Sequence, residues 1–333
     1  MNDSTGTEAD PATYIIGHDP SYLGPKNFAA GAVNISGSYN KLVVQNGILA
    51  QNSGAFSTTG YGAQLVVTGS GSALSLGGVF GVGGGNASNN TAVISNGARL
   101  TWNVSGANTR FIVGSGSGTN NSLVIDNAFM QQHVNNQINF LGYGSSNNQI
   151  VVTNSGTLQV SGVMVTGSSS HNNGIVVTGS GSLFDMVFDN NTYLRLGVAG
   201  GTNNYFQVED GAMFRSVATS FLYTENNYIR LDNGYFVLRG NQVAKFTTLI
   251  EEGYFQLKKG DEWVVETNPD HFTITHYASA ADAAAATGYS FANVNGGWTV
   301  ITGTALIPEA GSTILLLTGT ASYLLFRRGR RKI

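Results

Sequence analysis

An asparagine pair that returns every two to three dozen residues constrains this chain more than any other feature. It stands at Asn89-Asn90, Asn120-Asn121, Asn147-Asn148, Asn172-Asn173, Asn203-Asn204 and Asn226-Asn227. Asn40 and Ala63 hold the same slot in two earlier units, so successive slots lie 23, 27, 31, 27, 25, 31 and 23 residues apart. A recurrence of this size marks a repeat architecture, in which each unit buries its apolar face only by stacking on its neighbours.

Within each unit the same order recurs. Directly after the slot comes a short apolar run, such as Leu65-Val66-Val67, Leu123-Val124-Ile125 or Ile175-Val176-Val177. A tight corner follows, commonly Asn-Gly or Asp-Gly (Asn46-Gly47, Asn96-Gly97, Asp210-Gly211, Asn233-Gly234), where glycine supplies positive φ. A second alternating run (Leu100-Thr101-Trp102, Leu158-Gln159-Val160) and a third (Phe80-Gly81-Val82, Phe140-Leu141-Gly142) complete the unit before a Gly-rich corner. Three short strands without helical periods predict an all-β chain coiled as a parallel β-helix. About eight coils at roughly 4.8 Å each would make a rod of about 40 Å. The crossover rule for parallel strands makes it right-handed. Propeller blades run to about 40–45 residues, longer than these units. Antiparallel hairpins at the Asn-Gly corners are the competing arrangement. In stacked coils the second asparagine of each pair (Asn90, Asn121, Asn148, Asn173, Asn204, Asn227) would meet its equivalent one coil away, which predicts a ladder of side-chain amides.

Composition agrees with this class. The chain holds 45 Gly among 333 residues, 5 Pro, no Cys and 11% charged residues. Scarce proline without a three-residue glycine period excludes collagen, and the low charge excludes a coiled coil. The net charge of −3 is unevenly spread, since five of the 16 basic residues fall in the last seven positions. The body is therefore acidic and offers no basic field for nucleic acid.

The repeat predicts four regions: an N-terminal cap or incomplete coil over 1–39, the β-helix over 40–240, a mixed α/β cap over 241–303 and a tail over 304–333. In the cap, Asn241 is expected to open a helix that stops at Gly253, and Ala280–Thr287 to form a second. In the tail, Ile307-Pro308-Glu309-Ala310 precedes an uncharged stretch to Phe326, then Arg327-Arg328-Gly329-Arg330-Arg331-Lys332. A helix over that stretch reaches roughly 25 Å, the short limit of a membrane span, and its basic end would stay cytoplasmic.

The tail resembles the PEP-CTERM sorting signal of Gram-negative bacteria, on the order Pro308-Glu309, apolar span, and arginines 327, 328, 330 and 331. Ala310 stands where the family's third motif residue is Pro. The resemblance covers about 27 residues. It implies an exported protein, held briefly in the inner membrane by a single C-terminal transmembrane helix. An exosortase-type enzyme would process it near Pro308-Glu309, leaving it at the cell surface or in the extracellular matrix. Family members also carry a secretory leader, whose pattern is not visible in residues 1–39. The repeats are similar to the β-helical stretches of autotransporter passengers and of surface proteins with such tails. Exopolysaccharide is then the expected partner.

Chemistry-bearing residues are sparse. His18, His133, His171, His271 and His276 are scattered, with no metal-ligand spacing, and the absence of Cys excludes thiolate chemistry. The glycine runs lack the Gly-Lys of a phosphate loop. No catalytic residue, cofactor or metal is expected. Because some β-helices cleave polysaccharides, Asp185, Asp189 and Arg195 are the set to test for the alternative, a lyase or glycoside hydrolase. Asp126, Asp210 and Asp232 read as corner residues. Finally, the middle residue of each opening strand points outward, which predicts a stripe of Val43, Val66, Val93, Val124, Val151 and Val176 continued by Gln207 and Arg230. Strand propensity alone would favour valine there; a docking face is the alternative.

Overall fold

The structure is a computed structural model that describes residues 12–16, 28–102, 109–132, 137–186, 193–217, 222–223 and 226–304. Within them each unit lays one strand in each of three sheets. The unit opened by Asn90, for example, contributes Thr91–Ser95, Arg99–Trp102 and Phe111–Ser115 to the first, second and third sheet. Eight such coils run from Thr13–Ile16 to Leu222–Tyr223, and a ninth adds Tyr228–Asp232 and Tyr235–Arg239 to the first two sheets. Residues of the N-terminal region build the first coil, with Thr13–Ile16, Phe28–Ala30 and Val33–Ile35 each starting a sheet.

Neighbouring strands of the coils pair in parallel. Leu42, Leu65, Ala92, Leu123, Ile150, Ile175 and Phe206 lie in one register row of the first sheet, and all are buried. Val44, Val67, Ile94, Ile125, Val152 and Val177 form a second inward row two residues on. Period-two alternation thus becomes two apolar columns per sheet, facing a core shared by all three sheets. Parallel pairing excludes the hairpins. At Asn96-Gly97 both residues have positive φ (55° and 79°), yet the strands that they join belong to different sheets.

The C-terminal region closes the end of the coil stack. Helix α1 (Val243–Glu251) buries Phe246, Leu249 and Ile250. Its Phe246 ring meets Phe236 and Phe255 edge-on at 6.1 and 6.2 Å, extending the core's aromatic column. The N-cap is Gln242, and Asn241 contributes by accepting from the Val243 N–H at 3.3 Å. Phe255–Lys259 continues the first sheet in parallel and Glu262–Glu266 ends it antiparallel. Trp298–Gly303 and Phe272–Tyr277 end the second sheet, also antiparallel. Helix α2 (Ala280–Thr287) starts at Ser279, whose hydroxyl accepts from the Asp282 N–H, and stops at left-handed Gly288. Among the described residues no helix is long and apolar enough to cross a membrane. The expected span, with Pro308, Glu309, Ala310 and the arginine cluster, lies outside them.

Candidate functional site

Both members of the asparagine pair have a physical role. The first is left-handed in every unit, with φ between 56° and 61° at Asn89, Asn120, Asn147, Asn172, Asn203 and Asn226. Asparagine tolerates that region better than other side chains. The turn it makes points the second asparagine into the corner, where its amide is buried. Asn90 Nδ2 donates to Asn121 Oδ1 at 3.0 Å, and Asn121 to Asn148 at 3.0 Å. Asn148 donates to Asn173 at 2.8 Å, Asn173 to Asn204 at 3.0 Å and Asn204 to Asn227 at 2.9 Å. Each Oδ1 also accepts the backbone N–H of the residue in the preceding slot, from Ala63 onward. The ladder therefore satisfies backbone donors that the corner takes out of the sheets. It stops at Ala63, which has no amide, and Asn40 Oδ1 is buried without a partner.

The Gly-rich corner is the ladder's counterpart. A Cβ on Gly83, Gly114, Gly142 or Gly167 would fall 2.1–2.4 Å from the amide of Asn121, Asn148, Asn173 or Asn204, respectively. Glycine is required there twice, for its positive φ and for this approach. Gly47 separates the two demands, having φ +72° and nothing within 4 Å of an added Cβ. Gly47→Ala is expected to lower stability by about 1–2 kcal/mol, the left-handed penalty alone. Gly142→Ala should lose about 3 kcal/mol or more, since crowding adds to it. Equal losses in urea titrations would contradict the packing role.

Of the residues set aside for catalysis, Asp185 and Arg195 are not brought together. Asp185, in Leu183–Met186 of the second sheet, is 2% exposed and bound by Arg215 of the next coil. Arg215 Nε donates to Asp185 Oδ1 at 3.1 Å and Nη2 to Oδ2 at 2.7 Å. Arg215 Nη1 also donates to the Ser290 carbonyl, and its guanidinium lies 5.3 and 5.9 Å from the Phe291 and Trp298 ring centres. This pair pins the 289–298 segment over the outer face of the second sheet. Arg195 lies in the third sheet instead, 4.6 Å over the Tyr193 ring. Asp189 lies outside the described residues. Sequence reasoning missed the Asp185–Arg215 pair, although aligning Leu183-Phe184-Asp185 with Met213-Phe214-Arg215 places them side by side.

The other candidates are dispersed. His171 sits at an exposed corner with its Nδ1 2.8 Å from Thr202 Oγ1. His271 pairs with Glu266 at 2.7 Å. Burial would raise the Glu266 carboxyl, but the His271 contact and backbone N–H groups hold it below the usual carboxylate range. His276 faces Thr299, while His18 and His133 lie outside the described residues. Asp126 accepts from Asn154 Nδ2 at 2.7 Å and Asp210 from Thr178 at 3.1 Å, both at the corner after the first sheet. Asp232 lies 3.8 Å from Lys258. Among the described residues no group of three or more His, Asp or Glu could hold a metal.

The outward row of the first sheet is present in register, from Ile15 through Val43, Val66, Val93, Val124, Val151 and Val176 to Gln207, Arg230, Gln256 and Val265. It is less open than the alternation predicts: Val43 and Val176 are 7% and 8% exposed. Where the valines end the character of the face changes. Tyr205 and Tyr228 enter the neighbouring row, and Tyr205 lies across Gly174, where a Cβ would fall 2.1 Å from its ring. Arg230 is 4.0 Å from the Tyr205 ring centre and 5.6 Å from that of Trp263, and its Nε donates to Gln256 Oε1 at 2.8 Å.

Comparison with known proteins finds no matching family, no matching curated protein and no matching solved structure.

Proposed function

We propose that the chain is an exported structural protein of the bacterial cell surface or extracellular matrix, without enzymatic activity, whose solenoid displays repetitive faces toward exopolysaccharide. The observation that carries this reading is the uniformity of the coil. One buried amide ladder and one glycine corner recur through coil after coil. Such a stack suits a stiff spacer that presents the same face many times. The right hand of the coil and the C-terminal transmembrane helix belong to the same proposal. The helix would place Pro308-Glu309 at the outer face of the inner membrane, where the proline keeps the chain extended for an exosortase-type protease.

Deleting residues 306–333 should leave the β-sheet circular dichroism and melting of the body unchanged. It should abolish surface delivery in a host that has the sorting enzyme. The mature full-length product should lack arginines 327, 328, 330 and 331 by mass spectrometry. An intact C-terminus on the surface form would mean a permanent anchor, and unfolding on deletion would mean that the tail is part of the core.

A further inference from the structure

Among the described residues two arginines each lie near two aromatic rings, and they differ in one respect. Arg215 lies against the Phe291 and Trp298 rings and is neutralised by the buried carboxylate of Asp185. Arg230 lies between Tyr205 and Trp263 and has no carboxylate partner among the described residues. The carbonyl oxygen of the Gln256 side chain holds its Nε. That bond fixes the plane of the guanidinium and leaves the fork of Nη1 and Nη2 without an acceptor among the described residues. Burial pushes Arg230 below its ordinary value, an effect opposed by Tyr205 and Tyr228, so the cation is partly desolvated where it stands. A rigid, partly dehydrated guanidinium favours a planar bidentate anion over water.

The surroundings narrow the anion. Gln207 stands beside Arg230 in the outward row and adds an amide. Tyr205, Tyr228 and Trp263 offer ring edges and faces, the kind of amphipathic surface on which a sugar ring can rest. Lys258, a second cation near Trp263, is already shared with Asp232. Beyond Tyr228 the surface turns acidic, with Glu251 and Glu252 lining a shallow depression that would repel a second carboxylate. The valine row runs from this point along the rod, beginning at Val176, which is itself largely covered.

We propose that Arg230, with Gln207 and the rings of Tyr205 and Trp263, binds the carboxylate of a hexuronate residue in an acidic polysaccharide. This rests on the glycan-associated reading above and adds its charge class. The full chain would be titrated with a hexuronic acid oligosaccharide and with a neutral hexose oligosaccharide of equal length, followed by calorimetry and tryptophan fluorescence. The hexuronate should bind at least tenfold more tightly than the neutral sugar, and more weakly as salt rises. Arg230→Gln should lose tenfold or more without lowering the melting temperature, and Arg230→Lys should recover part of the loss, because an ammonium lacks the fork. Arg99→Gln, at a cation over one ring of the second sheet, should bind like the wild type. Unchanged hexuronate binding by Arg230→Gln would overturn the inference. Equal binding of both sugars would overturn it while leaving glycan association standing. Binding of neither would also overturn it; surface localisation of the chain then tests the broader reading separately.

Discussion

Replacing Arg215 by Met is expected to destabilise the protein by about 3–5 kcal/mol, the largest single-residue effect anticipated here. The substitution leaves the Asp185 carboxyl buried without its cation under the 289–298 segment, with both of its arginine bonds gone. It also removes the donor to the Ser290 carbonyl that holds that segment down. The double variant Asp185→Leu/Arg215→Met should recover most of the loss, since an ion pair replaced as a unit by apolar residues leaves no stranded charge. Urea titration of the two single variants and the double variant gives the coupling directly. A double variant as unstable as Arg215→Met would show that the loss comes from packing against Phe291 and Trp298.

Replacing Asn173 by Leu should cost about 3 kcal/mol. The amide of Asn173 accepts from the Asn148 backbone N–H and from Asn148 Nδ2, and donates to Asn204 Oδ1, Ser170 Oγ and the His171 carbonyl. Leucine supplies none of these, and an orphaned buried donor or acceptor costs about 1–3 kcal/mol. The Asn148 N–H has no other partner at this corner, so it bears most of the loss. Amide hydrogen exchange should accelerate first at Asn148 and spread through the adjoining coils. Wild-type protection at Asn148 in the variant would mean that the ladder is decorative.

How much of this was legible in the sequence depends on which residues are considered. The inward rows were, because alternation with period two and recurrence of the unit leave one way to stack Leu65, Ala92, Leu123 and Ile150. The ladder was legible too, since identical residues at identical points of successive coils must meet. Why the asparagines come in pairs was not, because it depends on the left-handed backbone at Asn89 and its equivalents. The glycine corners were visible as turns, but their approach to an amide one coil beyond was not. Asp185 shows how a site reading from local spacing fails in a solenoid. Its neighbour in the chain, Arg195, lies in another sheet, whereas Arg215, thirty residues on, is in contact.

The sequence by itself determined the class of fold, the three strands of each coil and the corner at which the amides stack. It could do so because a repeat turns sequence position into spatial position: what recurs in the chain is adjacent in space. The closing region breaks that correspondence. Glu262–Glu266 and Trp298–Gly303 add to the sheets antiparallel, and no period places Trp263 over Arg230 or Ser290 against Arg215. Those contacts arise where a non-repeating segment folds back on the stack, and their energy comes from long-range desolvation and charge pairing. Only the tertiary structure decided which arginine received a carboxylate and which was left facing the surface.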